Sequence, residues 1–230
     1  MTHRLKPGDV FIDVGANVGY FSCLASKLVG DSGKVVSIEA LPQIFERLKE
    51  NLAMNGAHNV RLANVAVWNK EENLKMFTRM AHPLGATSLM PAWAAHWQLE
   101  TAVEVPAKPL PAILTQEEIT RARLIKIDVE GAEWKVISGM ADMLPDSRQD
   151  LEIIVEISRG MLKEQGKSAG DLLELFARHG FHPYRLINDY SVGAYVAPRI
   201  PQPPKRVETI LDSAEDQMDV IFSRAGGASL

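Results

Sequence analysis

Short apolar runs alternate along the chain with longer segments whose apolar positions recur every three to four residues. The runs are Val10–Val14, Lys34–Ile38, Val60–Asn64, Leu124–Asp128 and Glu152–Ile157, and all lean on Val and Ile. Brief and almost continuously hydrophobic, they predict parallel strands covered on both faces. Between them, Tyr20, Leu24 and Leu28 share one helix face, as do Phe45, Leu48 and Leu52 in a segment opened by Pro42. Trp134, Ile137 and Met140 mark a third helix, and Leu172, Leu175 and Phe176 a fourth that stops at Gly180. Strand and helix in this order predict an α/β fold with a doubly wound, mostly parallel sheet. Two later runs, 183–187 and 219–223, have no clear helix between them and are expected to pair antiparallel at the sheet edge.

The alternation breaks once, over residues 77–108. That stretch carries Met80, Leu84, Leu89, Met90, Trp93 and Trp97. It is too apolar for a linker, and reads equally as a lid or substrate wall and as extra packing within one domain spanning residues 1–230.

Charge and composition narrow the choice of partner. Lys and Arg total 25 against 29 Asp and Glu, a formal net charge of −4. A nucleic-acid protein would need a basic footprint. The single cysteine, Cys23, excludes an intramolecular disulfide and a cysteine zinc cluster. The start has no signal-peptide pattern, and no apolar run approaches the roughly 20 residues a membrane helix needs. The expectation is a soluble, cytoplasmic protein with neither nucleic acid nor membrane as partner, compatible with a homodimer.

The chemistry begins where the first run turns into the first helix, at Asp13-Val-Gly15-Ala16-Asn17-Val-Gly19-Tyr20. Ligands of open α/β sheets bind at the carboxyl ends of strands, and the two glycines permit a tight turn there. The dinucleotide fingerprint would need a middle glycine for a pyrophosphate, and Asn17 stands in its place. Glu39, followed by Ala40, ends the second strand about 20 residues beyond the last glycine, where a carboxylate can accept from both hydroxyls of a ribose. Asn64 and Val65, after the third strand, can hold a purine; satisfying loop backbone is the alternative for Asn64.

The fourth run ends in Ile127-Asp128-Val-Glu130-Gly131-Ala-Glu133. Asp128 and Glu130 are expected to face the same pocket, and Glu133 to complement the helix dipole as an ordinary first-turn acid. Together, Val10-Phe-Ile-Asp-Val-Gly-Ala-Asn-Val-Gly-Tyr20, the Glu39 strand end, Asn64-Val-Ala-Val-Trp68, Gly85-Ala-Thr-Ser88 and Ile125-Lys-Ile-Asp-Val-Glu-Gly-Ala-Glu133 resemble the FkbM-type methyltransferases. The resemblance implies a class I, Rossmann-like methyltransferase sheet of seven strands. It also implies methyl transfer from S-adenosyl-L-methionine, leaving S-adenosylhomocysteine, to a hydroxyl oxygen of a natural-product or sugar-like small molecule. Relatives often carry a helix ahead of the first strand, whereas this chain reaches that strand within about ten residues.

For such a transfer the protein supplies positioning, exclusion of water and, for a hydroxyl acceptor, a base. The base candidates are Asp128, Glu130, Glu156 and His82; Ser88, Trp93 and Trp97 are candidate substrate contacts. Asp128, Glu130 and Glu156 also offer an all-oxygen set for Mg²⁺, which is not favoured, and the histidines show no metal spacing. Two other readings use the same sheet: a nicotinamide-dependent oxidoreductase and a non-catalytic cofactor-binding module.

Overall fold

The computed structural model describes residues 1–78, 101–186, 203–207 and 217–225. In chain order these form β1 (Val10–Val14), α1 (Tyr20–Val29), β2 (Lys34–Ile38), α2 (Pro42–Met54), β3 (Val60–Ala63), β4 (Ala66–Val67), β5 (Glu72–Thr78) and β6 (Thr101–Lys108). Then follow α3 (Leu110–Ile113), α4 (Gln116–Arg121), β7 (Ala122–Ile127), α5 (Glu133–Met140) with a 3₁₀ turn, and β8 (Glu152–Ser158). The chain closes with α6 (Arg159–Glu164), α7 (Ala169–Arg178), β9 (His182–Arg185), β10 (Lys205–Arg206) and β11 (Gln217–Ser223).

The main sheet has the order β10-β9-β11-β8-β7-β1-β2-β3. β1 pairs in parallel with both β2 and β7, so the chain starts mid-sheet, winds outward to β3, then returns to wind the other way. The point where winding reverses, between β1 and β7, is where such sheets open a crevice at the strands' carboxyl ends. At the far edge the two late strands pair antiparallel, as expected: β11 lies between β8 and β9 and is antiparallel to both. Beyond the seven strands, the two-residue β10 adds an eighth to the sheet.

Both faces are covered by apolar side chains. On one, Ile12, Ile125 and Ile153 pack with Val136, Ile137 and Met140 of α5 and Leu172 and Phe176 of α7. On the other, Phe11, Val35 and Leu124 meet Ala25 and Val29 of α1. Each large side chain buried here contributes about 1.5–3 kcal/mol.

The face that α1 presents is not the one its large apolar residues predict. Tyr20 is 73% exposed, while Ser22, Ala25, Ser26 and Val29 are buried. Small residues let the helix lie close to the strands, and Ser22 has partners there: its Oγ donates to Asp13 Oδ2 at 2.6 Å and accepts from Ser37 Oγ at 2.7 Å.

Both ends of the expected insert are strands. β5 and β6 form an antiparallel ribbon in register from Glu72–Ala107 to Thr78–Thr101, joined to β4 in a second, three-stranded sheet. Its apolar side, with Met76 and Val105, packs on Leu41 and Ile44 at the start of α2 and on Ala132 ahead of α5. Residues 79–100, and with them His82, Ser88, Trp93 and Trp97, lie outside the described residues. Among the described residues, no helix is long and apolar enough to cross a membrane.

Candidate functional site

Beyond β1 the chain turns through Gly15, Asn17 and Gly19, whose φ values of 77°, 49° and 91° are all left-handed. The two glycines answer different neighbours. A methyl group on Gly15 would lie 1.9 Å from the carbonyl oxygen of Asp128, and one on Gly19 would lie 2.6 Å from Leu48 Cδ1. Gly15 therefore lets the loop after β1 rest on the loop after β7, and Gly19 lets α1 start against α2.

The amides of this loop are committed within the protein. Gly15 and Ala16 both donate to the Ile38 carbonyl at 3.0 Å, and Gly19 donates to the Ala16 carbonyl at 2.9 Å. Asn17 donates its backbone N–H to Glu39 Oε2 at 2.9 Å. A phosphate cradle depends on backbone N–H groups aimed at the ligand. Here these four are already taken.

Glu39 follows β2 directly and is 7% exposed. Its Oε1 accepts the Leu41 N–H at 2.9 Å, so each carboxylate oxygen holds a backbone donor, and the four lone pairs of the group exceed the three N–H groups around it. Burial raises its pKa, and the N–H groups of Leu41, Asn17 and Ala40 pull the other way. The Asn64 amide donates to the carbonyls of Glu39 and Ala40 at 2.9 and 3.0 Å. It thus braces the strand end, the backbone-satisfying role.

These elements enclose a cavity of about 380 Å³. Gly15, Ala16, Asn17 and Tyr20 line it on one side, and Glu39, Ala40 and Val65 on another. Met76 of the ribbon, Lys126, Asp128 and Glu130 complete the wall. Asp13, Gly19, Asn64 and Glu156 are not lining residues. Asp13 is buried beneath the loop with its pKa raised by that burial, Lys126 opposing.

Sequence reasoning passes over Lys126 as filler within a strand. It is 8% exposed, its Nζ donates to Asp128 Oδ2 at 2.9 Å, and it sits 4.8 Å above the Phe21 ring centroid. Burial pulls its pKa down, but Asp13, Asp128 and Glu156 outweigh that and raise it. In parallel register Lys126 also stands directly beside Asp13. Glu156 lies on β8 opposite Asp219 of β11. Burial, then Asp128, Asp219 and Glu130, push it up to about 8, so it carries a proton at neutral pH. Among the described residues, no group of three or more His, Cys, Asp or Glu could hold a metal ion.

The turn after β7 has its own anchor. Glu130 and Gly131 have φ values of 52° and 101°, and Glu133 Oε1 accepts the Gly131 N–H at 3.0 Å. Glu133 is 2% exposed, so it is not the solvated first-turn acid its position suggests.

A glycine loop at the switch point, a strand-end acid and this turn coincide with one family model: the methyltransferase FkbM domain matches residues 13–183. This chain belongs to the FkbM methyltransferase family. Solved structures agree on the fold. An FkbM methyltransferase from Methylobacillus flagellatus superposes with a TM-score of 0.54 at 13% identity, over 95% of this chain and 44% of that one. A precorrin-6y C5,15-methyltransferase from Geobacter metallireducens gives 0.50 at 14% identity, over 96% and 82%. Curated relatives include a protein-L-isoaspartate O-methyltransferase of Aeropyrum pernix, 25% identical over 153 residues, 65% of this chain. One from Methanococcus maripaludis is 41% identical over 58 residues, 25% of this chain. The matches span 50% and 27% of those relatives' own lengths. In this FkbM-family chain the matched segment contains every residue described above as lining the cavity.

Proposed function

We propose that this chain is an S-adenosylmethionine-dependent O-methyltransferase acting on a hydroxyl of a small natural-product or sugar-like acceptor. Glu39 carries the reading: a buried carboxylate beside the glycine loop, one oxygen bound to the Asn17 N–H of that loop and the other to the Leu41 N–H, with acceptor capacity left on the group. The residues suit the cofactor's parts. Glu39 would hold the ribose diol, Val65 and Ile38 would flank the purine, and Asp128 on the same wall would meet the ammonium or the acceptor. The cavity volume falls within the range of about 300–1,000 Å³ usual for small-molecule sites. When bound, the cofactor supplies an electrophilic methyl group; the chain supplies orientation and a dry site.

Asp128, held by Lys126, is the proposed acceptor of the hydroxyl proton, a step worth roughly 10²–10⁴ in rate. The two curated relatives described above are named as O-methyltransferases, which supports oxygen as the accepting atom. The committed amides of Gly15, Ala16 and Asn17 disfavour a nicotinamide dinucleotide, whose pyrophosphate would need them. A cytoplasmic setting without nucleic-acid or membrane partners belongs to the same proposal, in keeping with the net charge of −4.

Titration calorimetry with S-adenosylhomocysteine and NAD side by side tests the pocket: the first should bind and the second should not. Methyl label from S-adenosylmethionine should then enter hydroxyl acceptors in a panel of polyketide alcohols, sugars and an isoaspartyl peptide. Incorporation into the peptide alone would replace the acceptor class. Tight cofactor binding with no labelled product would favour a non-catalytic module.

A further inference from the structure

One buried acid at the edge of the cavity has no part in that chemistry. Glu133 opens α5, is 2% exposed, and uses Oε1 to accept the N–H of Gly131. The other end of the same residue is gripped as well, since Gln165 Nε2 donates to the Gly131 carbonyl at 2.8 Å and to that of Met161 at 3.1 Å. Gly131 has φ 101°, and a methyl group there would lie 1.8 Å from Met161 Sδ. Its neighbour Glu130 has φ 52°, a conformation that persists only where surroundings over-determine it. Val129 and Glu130 line the cavity. The two grips on Gly131 are thus what hold a strained piece of cavity wall in shape.

The grips are incomplete in a telling way. Glu133 Oε2 and Gln165 Oε1 are both buried with no hydrogen-bond partner. An ionised carboxylate would leave a charged oxygen unsatisfied in that position, whereas a protonated one leaves a neutral group, at far lower cost. The charged neighbour acting on Glu133 is Asp128, from the end of β7, and it too opposes ionisation. From α6 and the residue after it come Met161 and Gln165, neither of which titrates.

We propose that Glu133 is a positioning residue for the proposed cofactor pocket: in its neutral form, with Gln165, it clamps the Gly131 peptide and fixes Val129 and Glu130 against an adenosyl ligand, and loss of its proton loosens the clamp. The clamp would then respond to pH in the neutral range, because burial lifts the Glu133 pKa to about 7 against the pull of the Gly131, Glu133 and Val129 backbone groups. The inference rests on the pocket reading above, so its test separates the two.

S-adenosylhomocysteine affinity is measured by calorimetry from pH 6 to pH 8.5 for the wild type and Glu133→Gln, which keeps the shape and an acceptor oxygen but cannot titrate. Wild-type affinity should fall by roughly fivefold or more across that range, and the variant's fall should be at least about threefold smaller. Asp13, Glu39, Glu130 and Glu156 titrate in both proteins, so the difference isolates Glu133. Equal pH dependence in the two would overturn the proposal. Should the variant not fold, the Gly131 amide ¹⁵N shift of the wild type decides: a titration centred near 7 supports the clamp, and a flat profile overturns it. Absence of binding at every pH would instead overturn the pocket reading, with the Gly131 titration still deciding the clamp.

Discussion

The backbone N–H of Asn17 donates to Glu39 Oε2 at 2.9 Å, so the acid at the end of β2 fixes the turn after β1 as well as facing the cavity. Glu39→Ala removes both functions. S-adenosylhomocysteine affinity should fall by about 1.5–3 kcal/mol, the range for hydrogen bonds to a charged group. Glu39→Gln, which keeps one acceptor oxygen, should lose less. A dissociation constant unchanged in Glu39→Ala, read by calorimetry, takes Glu39 out of the pocket.

Gly15 and Gly166 both have left-handed φ, 77° and 67°, but only Gly15 faces a wall. A methyl group at Gly166 would meet nothing within 4 Å, against 1.9 Å to the Asp128 carbonyl at Gly15. Gly166→Ala should therefore cost only backbone strain, about 1–2 kcal/mol, and Gly15→Ala about 2 kcal/mol more. Urea unfolding of both variants measures the gap, and equal losses would mean that the contact between the two loops carries no weight.

Stability should also record Glu133. The group sits near 7 in the folded chain against a reference of 4.5, so the folded state holds the additional proton between those values. Stability from this group is full below pH 4.5 and falls as pH rises through 7, by about 1.4 kcal/mol for each pH unit between the two values. Glu133→Gln escapes that loss. Relative to wild type it should gain about 3 kcal/mol between pH 4.5 and pH 8, read from denaturant midpoints at the two pH values. A constant difference between the proteins would place the Glu133 titration elsewhere.

Lys126→Met strands two acids at once. Asp128 loses its partner at 2.9 Å, and Asp13, already raised by burial, loses the cation that opposes the rise. Removing one member of a buried pair costs about 3–5 kcal/mol; the Asp128 side chain is 35% exposed, so the lower end applies. Lys126→Arg should restore much of it. Should both substitutions behave alike in thermal melts, the ion pair is not what Lys126 contributes.

Legibility in the sequence followed burial. β1 and β2 match their apolar runs residue for residue because strands covered on both faces show a nearly continuous hydrophobic signal. β5 is only partly covered, its exposure alternating along Glu72–Thr78, and that weak pattern hides a strand that runs into what reads as an insert. The insertion of β11 between β8 and β9 depends on cross-strand pairing that no local run encodes. At the site, Glu39, Gly15, Asn17 and Asp128 are legible because strand-end position alone brings them together. Asp13 and Gly19 belong to the same motif but do not line the cavity; Asp13 accepts from Ser22 and Gly19 lies against Leu48. Lys126 and Glu133 look ordinary in sequence; a lysine in a strand and an acid in a first helical turn acquire meaning only through what they touch.

The ribbon of β5 and β6 joins the three-stranded sheet through just two residue pairs with β4, Ala66–Ala107 and Val67–Lys108, yet delivers Met76 to the cavity. One side of the cavity wall thus hangs on a short seam, while the loops after β1, β2 and β7 are set by the register of the main sheet.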